Sequence, residues 1–212
     1  MTQKEELQSF IDYRDLLTQS RKNKSNEAFF NDSAIHEEFV VKELFTNAVE
    51  STPAISTIYM YCGKMSAFRE EIREMVEKKK DELKPGKDAS DDEMKKWREF
   101  NPFAKMIDSM ETFFQKDGRL EVIVDDPNIE NITEETIWRD TLCRYYNEGK
   151  LIINKLYSEN GLEHFIVCGK AYRSELSHED KTAICCFNDE QYAGLLYSNF
   201  FFLKQMALPT AI

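Results

Sequence analysis

The chain has 212 residues, 42% hydrophobic, 12% aromatic and 32% charged, with a formal net charge of −11 at neutral pH. That length supports one well-packed domain with an accessory element, and no apolar run approaches the roughly 20 residues that span a bilayer. The acidity leaves no broad basic footprint for neutralising phosphates, so non-specific duplex binding is disfavoured.

Residues 4–19 place Leu7, Phe10, Ile11, Leu16 and Leu17 on a helical stripe. The polar stretch Ser20-Arg21-Lys22-Asn23-Lys24-Ser25-Asn26 reads as a solvated loop, which makes residues 1–32 an appended helix and linker, and 33–212 the main domain. From Ser33, the recurrence of Ile35, Phe39, Val40, Leu44, Phe45, Ala48 and Val49 predicts a helix closed by Pro53. Residues 54–62, rich in β-branched and aromatic side chains, predict a strand ended by Gly63-Lys64.

Ser66 is a candidate cap for a helix carrying Phe68, Ile72, Val76 and Leu83, which Pro85-Gly86 stops. Ser90-Asp91-Asp92-Glu93 is a capping box, in which serine and glutamate each satisfy a first-turn amide. Asn101-Pro102 breaks and restarts that helix, whose second half buries Met106, Met110, Phe113 and Phe114. After Gly118 comes a strand at 119–124, closed by Asp125-Asp126-Pro127. Asn131 or Thr133 caps the next helix, through Trp138, Leu142, Tyr145 and Tyr146 to Gly149. Strands at 151–157 and 183–187, and a closing helix from Asp189 through Leu203, complete the chain.

Between the last strands lies Glu163-His164-Phe165-Ile166-Val167-Cys168-Gly169-Lys170-Ala171-Tyr172-Arg173-Ser174-Glu175, a tight hairpin about Gly169-Lys170. In that register residue 168 faces 171 and His164 faces Glu175, with Arg173 on the same face beside Ile166. The order α, α, β, α, α, β, α, β, β, β, β, α argues for an α/β fold. Its mixed sheet joins a parallel β-α-β-α-β core to an antiparallel hairpin and last strand, with helices on both faces. Ligands of such sheets bind beyond the carboxyl ends of the parallel strands. Those ends carry Gly63-Lys64, Asp125-Asp126 and Ser158-Glu159, the edge to which the hairpin delivers His164, Arg173 and Glu175.

The element order resembles one half-domain of the phospholipase D-like superfamily over roughly residues 33–208, with its histidine-bearing hairpin followed by a strand and a helix. The family signature is His-x-Lys-x4-Asp. If His164 is its histidine, Ile166 stands where lysine belongs and Ala171 where aspartate belongs, and the Gly-Ser pair usually found further on is missing. The resemblance implies histidine as nucleophile on phosphorus, a second histidine protonating the leaving oxygen, and lysines on the phosphoryl oxygens. Losing the lysine removes positive charge where negative charge develops.

Two candidate groups follow: His164 as the catalytic residue with Glu175 orienting it, and Arg173 with Lys64 as ligand-binding cations. The expectation is a degenerate, non-catalytic domain that binds or assembles, with a homodimer or another protein as partner. The alternative is a diverged metal-independent phosphodiesterase or nuclease, which pairs two copies to bring two His164 side chains together. A nucleic acid or phosphate ligand finds no support in the net charge. A third reading makes the helix of residues 4–19 the docking surface of a larger assembly.

No metal and no cofactor are expected, since the three histidines are scattered. The five cysteines, Cys62, Cys143, Cys168, Cys185 and Cys186, form no Cys-x-x-Cys pair and read as reduced thiols. The N-terminus has no apolar stretch of signal-peptide type, so a cytoplasmic location is expected.

Overall fold

The computed structural model describes residues 2–125, 133–157, 162–177 and 182–210. Helix α1 (Gln3–Asn23) is followed by strand β1 (Ala28–Asn31), α2 (Ala34–Glu50) and β2 (Thr57–Cys62). A short 3-10 turn at Ser66–Phe68 leads into α3 (Glu70–Glu82), α4 (Asp91–Glu99), α5 (Pro102–Gln115) and β3 (Arg119–Val124). A π-helical turn at Trp138–Leu142 runs into α6 (Cys143–Asn147), then β4 (Leu151–Lys155), β5 (Phe165–Cys168), β6 (Ala171–Ser177) and β7 (Thr182–Cys186). Helix α7 (Glu190–Lys204) and the two-residue β8 (Leu208–Pro209) close the chain.

Among the described residues the strands form one mixed sheet, ordered β1-β7-β6-β5-β2-β3-β4-β8. Strands β2, β3 and β4 are parallel, as their separation by helices requires. The others add antiparallel, β5 against β2 and β8 against β4. One sheet face presents Met60, Val122, Ile153 and Ile166 to a core shared with α1, α2, α5 and α6. The opposite face presents Ile123, Phe165, Val167 and Tyr172 to Leu196, Phe200 and Leu203 of α7. Helices therefore cover both faces of the sheet.

Local signals explain most boundaries. The Ser90–Glu93 capping box is formed on both sides, and Asn101 accepts from the Ala104 amide to start α5 behind Pro102. In the hairpin, Cys168 pairs with Ala171 and Ile166 with Arg173, as its register predicts. Gly169 holds φ 62°, and a Cβ there would lie 2.6 Å from Ile55 Cδ1, so this turn requires glycine on two counts. All five cysteines are free thiols, Cys143 half-buried and the others buried. No described helix is long and apolar enough to cross a membrane.

Several expectations are corrected. Residues 20–23 are helix, not loop, because Arg21 is not solvated. It is buried, paired with Glu43 and, at 2.5 Å, with Glu50 of α2. The helix of residues 4–19 packs back onto the domain with Leu7, Ile11 and Leu17 in the core, which weakens its reading as a docking surface, though Leu16 stays exposed. Segment 1–32 also supplies β1, which pairs along β7. Ser66 does not cap α3: it begins the 3-10 turn, and Arg69 precedes α3 without a side-chain cap. The strands expected at 54–62 and 151–157 are shorter, at 57–62 and 151–155. Asp126, Asn131, Ser158 and Glu159 lie outside the described residues.

Candidate functional site

The parallel strands deliver two loops to one edge. Gly63 and Lys64 follow β2, and Asp125 follows β3. The hairpin brings His164, just before β5, and Arg173 and Glu175, within β6, to the same edge. Its register is fixed by the Glu175 amide donating to the His164 carbonyl at 2.8 Å. Helix α2 contributes Glu37 from its first turn. Together these residues line a cavity of about 500 Å³ that also reaches Met60, Tyr61 and Ile166.

A chain of alternating charges crosses it. His164 Nδ1 lies 3.2 Å from Glu175 Oε2 and its Nε2 3.5 Å from Asp125 Oδ1. Tyr61 Oη donates to the other Asp125 oxygen at 2.5 Å. Arg173 lies 3.6 Å from Glu175 through Nη1 and 3.5 Å from Glu37 through Nη2. With its amide oxygen turned towards the donors, Asn31 of β1 accepts from Arg173 Nε at 3.3 Å and from the Glu37 amide at 3.2 Å. Arg173 is only 6% exposed, so its charge is committed to these partners and not to solvent.

Burial by itself would lower the His164 pKa. The hydrogen bonds and charges of Asp125 and Glu175 outweigh it and raise the value to about 9. Burial likewise pushes Asp125 upward, but His164 and Tyr61 win and hold its carboxyl below the ordinary range. At neutral pH His164 is thus an imidazolium with both ring nitrogens protonated. Gly63 lies close beside the clamp: a Cβ there would lie 3.2 Å from His164 Cε1, a tight contact, and 3.6 Å from Asp125 Oδ1.

The raised pKa gives a signed prediction. A histidine that holds its proton more tightly in the folded state stabilises the fold below its unfolded value near 6.5, and this is lost as pH rises through 9. The difference in unfolding free energy between wild type and His164→Gln should therefore be largest near pH 6 and shrink steadily towards pH 9. Guanidinium denaturation across that range measures it. A pH-independent difference would contradict the imidazolium assignment.

No family model matches the sequence, and no curated protein matches it. A solved structure does. TrmBL2, described as an archaeal chromatin protein showing a novel mode of DNA binding, superposes with a TM-score of 0.53 at 11% identity. The match covers 98% of this chain and 65% of that one, so the chain spans about two thirds of the length of TrmBL2. At this identity the likeness is one of fold.

All four predicted site residues line the one cavity. Glu175 contacts both His164 and Arg173, while Lys64 sits exposed on its rim. Sequence reasoning missed Glu37, Asn31 and Tyr61 as members, and placed Asp125 at the ligand edge without naming it as a site residue. For Asp125 the signal was present in its place at a parallel strand's carboxyl end. Among the described residues, no group of three or more His, Cys, Asp or Glu side chains is arranged to hold a metal ion. A cavity of about 410 Å³, between the start of α1 and residues 83–89, contains neither histidine nor arginine.

Proposed function

We propose that the chain is a degenerate, non-catalytic phospholipase D-like domain that binds or assembles and does not cleave. The single observation that carries this reading is the clamping of His164 between Asp125 and Glu175. A nucleophilic histidine needs an unprotonated ring nitrogen directed at phosphorus, whereas here both nitrogens face carboxylates. The surroundings agree. Glu37, Asp125 and Glu175 balance Lys64, Arg173 and the His164 imidazolium, so an incoming phosphate meets as much negative charge as positive. Ile166 leaves the signature lysine position apolar and buried. The order of the elements and the histidine at the ligand edge of the sheet support the phospholipase D-like assignment itself.

The test is a screen of fluorogenic phosphodiesters and of single- and double-stranded nucleic acids, with wild type and His164→Ala side by side, with and without chelator. The expected outcome is no turnover that depends on His164. Chelator-insensitive cleavage abolished by the substitution would overturn the proposal in favour of the diverged phosphodiesterase.

A nucleic acid partner is a second reading, favoured by the fold likeness to TrmBL2, which binds DNA. The net charge of −11 opposes it. The same nucleic acids, read as binding by fluorescence anisotropy in low salt, test this second reading, and no binding at any salt concentration would sink it.

A further inference from the structure

Helix α7 turns Ala193, Leu196, Phe200 and Leu203 into the core, and its outer face is unlike the rest of this protein. In a chain that is 32% charged, the exposed positions centred on Ser198 carry no charge over about four turns. Leu195, Phe201 and Phe202 are 53%, 45% and 59% exposed there. On a wheel of 3.6 residues per turn they lie within about 60° of Ser198, together with Gly194 and with Gln191 and Gln205 at the ends. Gly194 is the odd member. A mid-helix glycine is destabilising relative to alanine, and a Cβ at 194 would meet nothing within 4 Å. Nothing in its own chain requires glycine there.

We propose that this face joins two copies of the chain, their α7 helices packed antiparallel about a two-fold axis at Ser198. The pattern is self-complementary, as an isologous interface demands. The axis sets the notch at Gly194 opposite Phe201 of the second copy, and Leu195 opposite its Phe202. Gln191 meets Gln205, two uncharged amides that can hydrogen-bond. The charges flank this strip on one side: Glu190 of one copy falls beside Lys204 of the other. Each already belongs to an ion pair within its own chain, Glu190 with exposed Lys170 at 2.6 Å and Lys204 with buried Glu121 at 2.5 Å, so the contact would merge two pairs into a four-charge network at each end. The proposal does not depend on what the histidine pocket binds, because α7 covers the sheet face opposite α2.

Sedimentation equilibrium of the full chain over a concentration series tests it. Wild type should show a monomer–dimer equilibrium, and Phe202→Glu should raise the dimer dissociation constant at least 30-fold, as loss of a central aromatic anchor does. Glu190→Lys and Lys204→Glu should each weaken the dimer, and the double variant should restore it, which also reports the antiparallel register. Ser198→Cys should give a disulfide-linked dimer under mild oxidation where wild type does not. These positions are exposed, so circular dichroism should show every variant folded. A monomer at every concentration overturns the proposal, as does a dimer indifferent to Phe202→Glu. Adsorption to neutral lipid vesicles by a chain that remains monomeric would also overturn it and assign the face to membranes.

Discussion

Arg21→Met should lower the unfolding free energy by about 3 kcal/mol, the low end of the range for breaking a buried ion pair. Arg21 is 7% exposed as a residue, and the Glu43 side chain only 1%. Removing the guanidinium leaves Glu43 buried beside Lys42 at 2.5 Å and the Thr18 hydroxyl at 2.8 Å. Those partners keep the loss from reaching the top of the range; burial would push the Glu43 carboxyl upward, but Lys42, Arg21 and Thr18 together hold it below its ordinary pKa. For a chain of this size the change corresponds to a fall in Tm of about 6–12 °C. The double variant Arg21→Met/Glu43→Met should recover much of the loss, because two apolar side chains need no compensation in the interior. A single-variant loss below about 1 kcal/mol would show that α1 is not anchored through this pair.

Arg173→Met should cost a similar amount, about 3 kcal/mol, by a different route. The methionine fills part of the volume but leaves Glu37 and Glu175 facing each other across the cavity without the cation between them. Arg173→Lys should recover only part of the loss. An ammonium restores the charge but lacks the planar fork that reaches two carboxylates and the Asn31 amide together. Denaturant midpoints of the two variants measure the ordering, and a lysine variant as stable as wild type would show that charge alone matters here.

The hairpin was legible because its signals agree. A continuous apolar run, a turn centred on glycine and a charged end all point to one register, and with it to the meeting of His164 with Glu175. The parallel strands were legible for a similar reason, as β-branched runs closed by Gly63 and Asp125. What was hidden depends on strand order. Tyr61, Glu37 and Asn31 lie on β2, on α2 and on β1, and only a sheet that sets β5 beside β2 and β7 beside β1 brings them to His164 and Arg173. No local pattern encodes that order. Strand β1 escaped because four residues between polar segments carry no periodicity, and β8 because a proline argues against a strand. The basic run at Arg21 misled for a physical reason: a charge cluster reads as solvated unless its acidic partners, here 22 and 29 residues further along, are known.

The short strand β8 has a consequence for handling the protein. It pairs Pro209 with Asn154 and Leu208 with Lys155, and a proline nitrogen has no hydrogen to offer a further strand. The segment is pinned by the Tyr146 hydroxyl donating to the Thr210 carbonyl at 2.7 Å and by the Thr210 amide donating to Ile153. Together they cover β4 from Ile153 to Lys155, a stretch that would otherwise be an open sheet edge for another chain to pair with. Trimming the chain before Leu208, or blunting Tyr146 to phenylalanine, should therefore shorten shelf life by seeding precipitation well before it alters the pocket.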